Sequence, residues 1–158
     1  METSWLDDQQ RAAWVKLVAV VELLPGVLET QLRRDSGLTH FEYFVLAMLS
    51  EAPDRTLRMT SLAERVNATL SRLSHVIHRL EARQLVERRP CPEDGRATNA
   101  HLTDEGWSTI SAAAPGHVAT VRHYIIDALS ASQVRQLDVI MTALLKELDP
   151  QARMSSLS

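Results

Sequence analysis

The sequence predicts a mainly α-helical, α+β fold with one small β-hairpin. Three observations lead there. Over most of the chain, apolar residues recur at steps of three and four, the period of amphipathic helices. That period breaks only after Leu85, where two short extended runs flank Pro92-Glu93-Asp94-Gly95, a cluster of turn formers. Charge is also segregated. Residues 55–96 hold nine arginines (55, 58, 65, 72, 79, 83, 88, 89, 96) and five acids, a net +4, within a chain of net charge −3. A basic middle between acidic ends is a directional field, and arginine is the cation suited to phosphate forks and guanine edges.

The first helix is expected over roughly residues 7–34, on Trp14, Leu17, Val18, Val21, Leu24, Leu28 and Leu32. Pro25-Gly26 should kink or interrupt it, and Asp35-Ser36-Gly37 should form the turn that follows. Thr39 is placed to cap a second helix reaching Glu51, which Pro53-Asp54 ends. A short extended piece over 57–59 leads to Thr60-Ser61. Ser61 and Glu64 have capping-box spacing, with Thr60 an equally good cap, for a brief helix ending near Val66.

Asn67-Ala68-Thr69 turns the chain into a helix over about 70–83. Two helices joined by so short a turn cross steeply, as in a helix-turn-helix. On the second of them, Leu70, Leu73, Val76, Ile77 and Leu80 share one face. The other face carries Ser71, Arg72, His75, His78 and Arg79, all hydrogen-bond donors and none acidic. A solvated face ordinarily mixes signs, so this one reads as a recognition helix for phosphates and base edges. The two strands after Leu85, expected over 86–90 and 98–102, make a hairpin with Arg88, Arg89 and Arg96 around it. A hairpin directly after the second helix of a helix-turn-helix is a wing.

Thr103 should cap the next helix, with Asp104 and Glu105 favourable in its first turn. Its apolar series is Trp107, Ile110, Ala114, Val118, Val121, Ile125 and Leu129, and Pro115-Gly116 should kink it. Ser130 and Gln133 form a second capping-box pattern. The helix that follows carries Val134, Leu137, Met141, Leu144 and Leu148, a coiled-coil-like seam that Asp149-Pro150 stops.

A length of 158 residues suits one domain with a dimerisation element. The expected division is 1–36, an N-terminal dimerisation helix; 37–103, a winged helix-turn-helix lobe; 104–149, C-terminal dimerisation helices; and 150–158, a flexible tail. The single cysteine, Cys91, excludes an internal disulfide and a cysteine-based zinc site, and it suits a reducing cytoplasm. Cys91 at the base of the wing reads as a packing residue. No 18-residue apolar run exists, and residues 1–10 lack a basic-then-apolar leader, so a cytoplasmic protein off the membrane is expected. His40, His101, His117 and His123 show no metal motif, and no phosphate loop, nucleophile elbow or carboxylate pair is present, so neither a cofactor nor enzymatic activity is expected.

The residues Ser61-Leu62-Ala63-Glu64-Arg65-Val66, Ser71-Arg72-Leu73-Ser74-His75, Arg79-Leu80-Glu81 and Leu85-Val86 resemble the MarR family of bacterial transcriptional regulators. The wing adds a signature: an Asp, one residue, an Arg, five residues, Leu-Thr, two residues and a Gly, matched at Asp94, Arg96, Leu102, Thr103 and Gly106. The resemblance implies a homodimer in which the outer helices interlock and each lobe reads half of a pseudo-palindrome, with half-sites about 34 Å apart. The apolar seams of the outer helices, more than one lobe of this size needs, agree with it.

The resemblance also implies roles. Arg96 would enter the minor groove, with Asp94 holding its guanidinium. Ser71, Arg72, Ser74, His75 and Arg79 would touch major-groove bases and phosphates, with His78 on the same face, and Arg88 and Arg89 would contact the backbone. Gln84 stands where many relatives have a glycine, so a left-handed conformation costing about 1 kcal/mol is expected there; Asn67 replaces another turn glycine. Relatives often bind small anionic aromatics between the dimer helices and the lobe, where Trp14, His40, Tyr43, His117 and Arg122 are the candidates to line a space. The expected function is a repressor that binds double-stranded DNA as a homodimer and is released by a small aromatic or anionic effector. The alternative is an architectural DNA-binding protein without operator specificity, and a metal-dependent enzyme stands a distant third.

Overall fold

Asp7 starts the first helix by accepting the Gln10 N–H, while the Gln10 side chain accepts the Asp7 N–H in return. The helix, α1 (Asp8–Ser36), ends on Gly37 at φ 66°, a left-handed cap that glycine adopts without strain. These features belong to a computed structural model, which describes residues 4–154. Thr39 and Glu42 then close a reciprocal capping box at the start of α2 (His40–Glu51). After a 3-10 turn at Pro53–Arg55 come β1 (Thr56–Arg58), α3 (Met59–Arg65) and α4 (Leu70–Ala82). The wing is β2 (Val86–Cys91) and β3 (Asp94–Leu102). Two helices, α5 (Asp104–Val121) and α6 (Ala131–Leu148), close the order.

Several local expectations give way to tertiary packing. Pro25 and Pro115 interrupt neither α1 nor α5; both prolines are exposed, and each long helix continues through the one hydrogen bond its proline cannot donate. The irregularity lies further on, in a π turn at Arg122–Ile126. Asp35 and Ser36 are the last turn of α1, so the turn is Gly37 alone. Neither Ser61 nor Thr60 caps α3. That helix begins at Met59 with Arg58 before it and no side-chain cap, because β1 pairs with β3 up to Arg58↔Asn99 and feeds straight into the helix. The hairpin is part of a three-stranded antiparallel sheet in the order β1-β3-β2. Its turn is Pro92-Glu93, since Asp94 already pairs with Cys91. Trp107 is 40% exposed and lies under the Arg55 guanidinium at 4.1 Å.

The core lies between α2, α3, α4 and the sheet. Leu46, Leu49, Leu62, Leu73, Ile77, Leu80 and Leu102 are fully enclosed in it. The tightest packing is where α5 leaves the wing. A methyl group on Gly106 would sit 2.1 Å from the Leu85 carbonyl oxygen. That carbonyl accepts the Thr103 N–H at 3.1 Å, and the Thr103 hydroxyl donates to the Gln84 carbonyl at 2.7 Å while accepting the Gly106 N–H at 2.9 Å. Gln84 takes the expected left-handed conformation, φ 61°, and Asn67 does likewise at φ 49°.

At the other side of the lobe, α5 crosses α1 and α2. Gly116 brings α5 close to α1, because a Cβ there would lie 3.0 Å from the Gln31 Nε2. The rings of Tyr43 and His117 stack with centroids 4.3 Å apart, and the Nδ1 of His117 is buried without a partner. Burial lowers the pKa of both His40 and His117; the Glu29 carboxylate partly opposes this at His40, and the charge of His40 reinforces it at His117. The expected tail starts as a turn: Asp149 accepts the N–H groups of Arg153 and Met154. Positions 155–158 of that tail, and 1–3 of the expected N-terminal segment, lie outside the described residues.

Two outcomes follow from this packing. Gly106→Ala should cost about 1–3 kcal/mol, seen as a lower urea midpoint. Gly95→Ala, where a Cβ meets nothing within 4 Å, should leave the midpoint unchanged. Because the folded state favours neutral His40 and His117, their contribution is complete above the ordinary histidine pKa of 6.5 and is lost as pH falls toward their depressed values. The urea midpoint should therefore drop between about pH 7.5 and about pH 5.5. His117→Phe, which keeps the ring on Tyr43, should shrink that drop, and an unchanged drop would count against the assignment.

Candidate nucleic-acid interface

Helix α4 is oriented by its cap and by its buried side. The Thr69 hydroxyl accepts the Arg72 N–H at 3.1 Å, which fixes where the helix begins. Leu73, Val76, Ile77 and Leu80 are buried. Ser71, Arg72, His75, His78 and Arg79 are consequently exposed together, with Ser74 half-buried beside them. Leu70, read from the sequence as part of the buried face, is 49% exposed. As the first residue of the helix it falls short of the core and lines the crevice between α4 and the wing.

That crevice, of about 390 Å³, is bounded by Arg58, Leu70, Ser74, Arg88, Asp94 and Arg96. The wing reaches past it by a bulge. Pro90 pairs with Thr98 and Cys91 with Asp94, so Gly95, Arg96 and Ala97 have no partner on β2. Asp94 Oδ1 accepts the backbone N–H of Arg96 at 3.0 Å. The contact that forms is thus to the main chain of Arg96 and not to its guanidinium, and the Arg96 side chain is exposed. At the wing base, Cys91 is buried with the Arg58 Nη2 3.5 Å from its sulfur. The N–H of Glu93, and after it the Arg58 guanidinium, hold that thiol below its ordinary pKa.

The other arginines differ in how far they are committed. Arg88 donates to the carbonyl and hydroxyl oxygens of Ser74 at 2.8 and 3.1 Å and pairs with Glu81 at 3.1 Å, bracing β2 against α4. Arg89 pairs with Glu87 at 2.7 Å where both are half exposed, a pair weak enough to exchange for another anion. The Arg72 guanidinium carbon lies 4.0 Å from the centroid of the Phe41 ring. Arg79 and Arg83 face the two carboxylate oxygens of Glu42 at 3.6 and 3.8 Å. Arg83 also donates to the Gly37 carbonyl at 3.1 Å.

Sequence reading missed Phe41, Glu42 and Arg83. Thr39 signals the start of α2, but nothing in the spacing shows that the Glu42 carboxylate meets the end of α4. Phe41 reads as one more apolar residue of α2.

Of the five residues expected around an effector, the fold brings His40, Tyr43 and His117 to the junction of α1, α2 and α5. Trp14 is 56% exposed on the first half of α1. Arg122, in the π turn, pairs with Asp127 at 2.7 Å. A cleft of about 800 Å³ runs from α1 to α5 and the π turn along Leu23, Val27, Thr30, Gly116, Thr120 and Tyr124, and none of the five lines it. A second, of about 530 Å³, runs from Pro25, Glu29 and Arg33 to His40, Phe41 and Arg72. Among the described residues, no helix is long and apolar enough to cross a membrane.

The model of the MarR family matches residues 38–98, the span from α2 through the wing tip. The chain is similar to Sco3205 of Streptomyces coelicolor, a MarR family transcriptional regulator solved in complex with DNA. The two are 41% identical, with 94% of this chain and 93% of that chain covered and a TM-score of 0.90. It is also similar to AbsC of the same organism, a MarR family transcriptional regulator, at 38% identity, 92% and 98% coverage and a TM-score of 0.87. The HTH-type transcriptional repressor YetL of Bacillus subtilis (strain 168) is 32% identical over 85 residues, 54% of this chain and 51% of that protein, so the match spans about half that relative's length. With the winged helix-turn-helix fold in place and a 41% identical member matched along nearly its whole length, the chain belongs to the MarR family of transcriptional regulators.

Proposed function

We propose that the protein represses transcription by binding a pseudo-palindromic operator as a homodimer, each lobe laying α4 in the major groove and Arg96 in the adjacent minor groove. The observation that carries this reading is the acid-free face of Ser71, Arg72, His75, His78 and Arg79 beside a wing tip bulged outward at Arg96. Support from outside the chain is the DNA complex of the 41% identical Sco3205. Arg89 adds a backbone contact once it exchanges Glu87 for phosphate, while Arg88 and Asp94 shape the lobe. The lobe is residues 37–103, and the outer helices, 1–36 and 104–149, are the dimerisation elements.

The dimer is supported by α6. This 18-residue helix has no buried residue, and Val139, Ile140 and Leu148 are 68%, 52% and 80% exposed. Most of the stability of a helix in a protein comes from packing its apolar face, so this face needs a partner surface. On α1, Val15, Val21 and Leu23 are exposed in the same way. A second copy supplies matching faces and sets two α4 helices about 34 Å apart. The effector is a small aromatic or anionic molecule seated near His40 in the cleft that ends on Arg72. A panel of phenolic and aryl-carboxylate ligands tests it: absence of DNA release at millimolar concentration removes the effector from the reading.

Selection of genomic fragments by the purified protein, followed by footprinting, should give one protected palindrome; uniform coating would favour an architectural protein. On the selected duplex, Arg96→Ala should weaken binding and lower the salt slope by about one unit. An unchanged affinity at moderate salt would refute the placement of the wing. Sedimentation should give a dimer, and Ile140→Asp should yield a folded monomer with weakened operator binding; a dimer unaffected by that charge would move the interface off α6.

A further inference from the structure

The first turn of α2 meets three arginines: Arg72 and Arg79 of the reading face, and Arg83 just beyond the end of α4. Phe41 lies under the Arg72 guanidinium, at 4.0 Å from ring centroid to carbon. Its neighbour Glu42 is only 7% exposed, yet its carboxylate is directed at Arg79 in the last turn of α4 and at Arg83 just past the helix end. The backbone of the turn is itself fixed. Thr39 and Glu42 exchange their two capping hydrogen bonds, at 3.0 and 3.2 Å, and the His40 N–H donates to Glu29 of α1 at 3.3 Å.

These contacts act differently on the arginines they hold. A guanidinium resting on a ring commits none of its N–H donors to an acceptor, so Arg72 keeps its full fork for a base edge while losing the rotamer freedom that binding would otherwise have to remove. A carboxylate facing Arg79 and Arg83 does the reverse. It offsets their charge and draws their donors back toward the lobe, away from a passing phosphate. Stacking therefore favours base reading, and pairing suppresses contacts that any sequence offers.

We propose that Phe41 and Glu42 are positioning residues for base discrimination: Phe41 presents Arg72 to the major groove, and Glu42 restrains Arg79 and Arg83 from indiscriminate phosphate binding. This inference rests on the reading of α4 as the recognition helix. It places a determinant of specificity on a helix outside the helix-turn-helix itself.

The test measures affinity for the duplex selected by the wild-type protein and for a shuffled duplex, across a salt series. Phe41→Leu should lower the ratio of specific to shuffled affinity by about three- to tenfold, with the loss concentrated at the base pairs where Arg72→Ala loses discrimination. Phe41→Tyr should restore the ratio, and Phe41→Leu in an Arg72→Ala background should add nothing. Glu42→Gln keeps an amide oxygen for the Thr39 cap but removes the charge. It should raise affinity for the shuffled duplex and steepen the salt slope by about one to two units. A damaged fold would instead lower binding to both duplexes, and circular dichroism melts identify such a variant. If Arg72→Ala and Arg79→Ala leave the specific ratio unchanged, the recognition-helix reading fails. If they lower it while Phe41→Leu and Glu42→Gln leave both duplexes bound as in wild type, the positioning role is overturned.

Discussion

The arrangement of the lobe depends on the contact between Leu85 and Gly106. The end of α4, the end of β3 and the start of α5 meet there with no room for a single extra carbon, since a Cβ on Gly106 would lie 2.1 Å from the Leu85 carbonyl oxygen. Thr103 secures the junction from both sides, caps α5 through Gly106 and closes on the carbonyls of Gln84 and Leu85. The angle between α4 and the wing, and the direction in which α5 departs, are thereby set at one place. The left-handed backbone at Gln84 is the strain this closure requires, and the hydrogen bonds from Thr103 offset it.

From that junction outward, the chain sorts its positive charge by how tightly each arginine is held. Arg88 is used inside the lobe, Arg79 and Arg83 face a nearly buried carboxylate, Arg72 rests on a ring, and Arg96 stands on the bulge. A count of nine arginines between 55 and 96 therefore overstates the charge a duplex would meet. What the fold presents is a graded surface, in which geometry and not abundance decides which cations meet DNA.

The sequence made the lobe legible because its signals are local. Thr39, Thr103 and Ser130 cap the helices they precede, and the acid-free face of α4 follows from spacing alone. What stayed hidden depends on contacts distant in the chain. Ser61 looks like a cap until β1 joins the sheet and starts α3 at Met59. Nothing in the spacing around Glu42 shows that α4 will lie against its carboxylate. Of the expected effector residues, three converge and two do not, because helical periodicity gives a residue's face but not which helix will cross it.

The bulge at the wing has a consequence for how such a protein diverges. Gly95, Arg96 and Ala97 have no partner on β2, and a Cβ at Gly95 meets nothing within 4 Å. Residues can be exchanged, added or removed there without disturbing the strand register below or the crowded joint at Gly106. The reach and chemistry of the tip are thus free to drift between descendants while the frame that aims it is held constant.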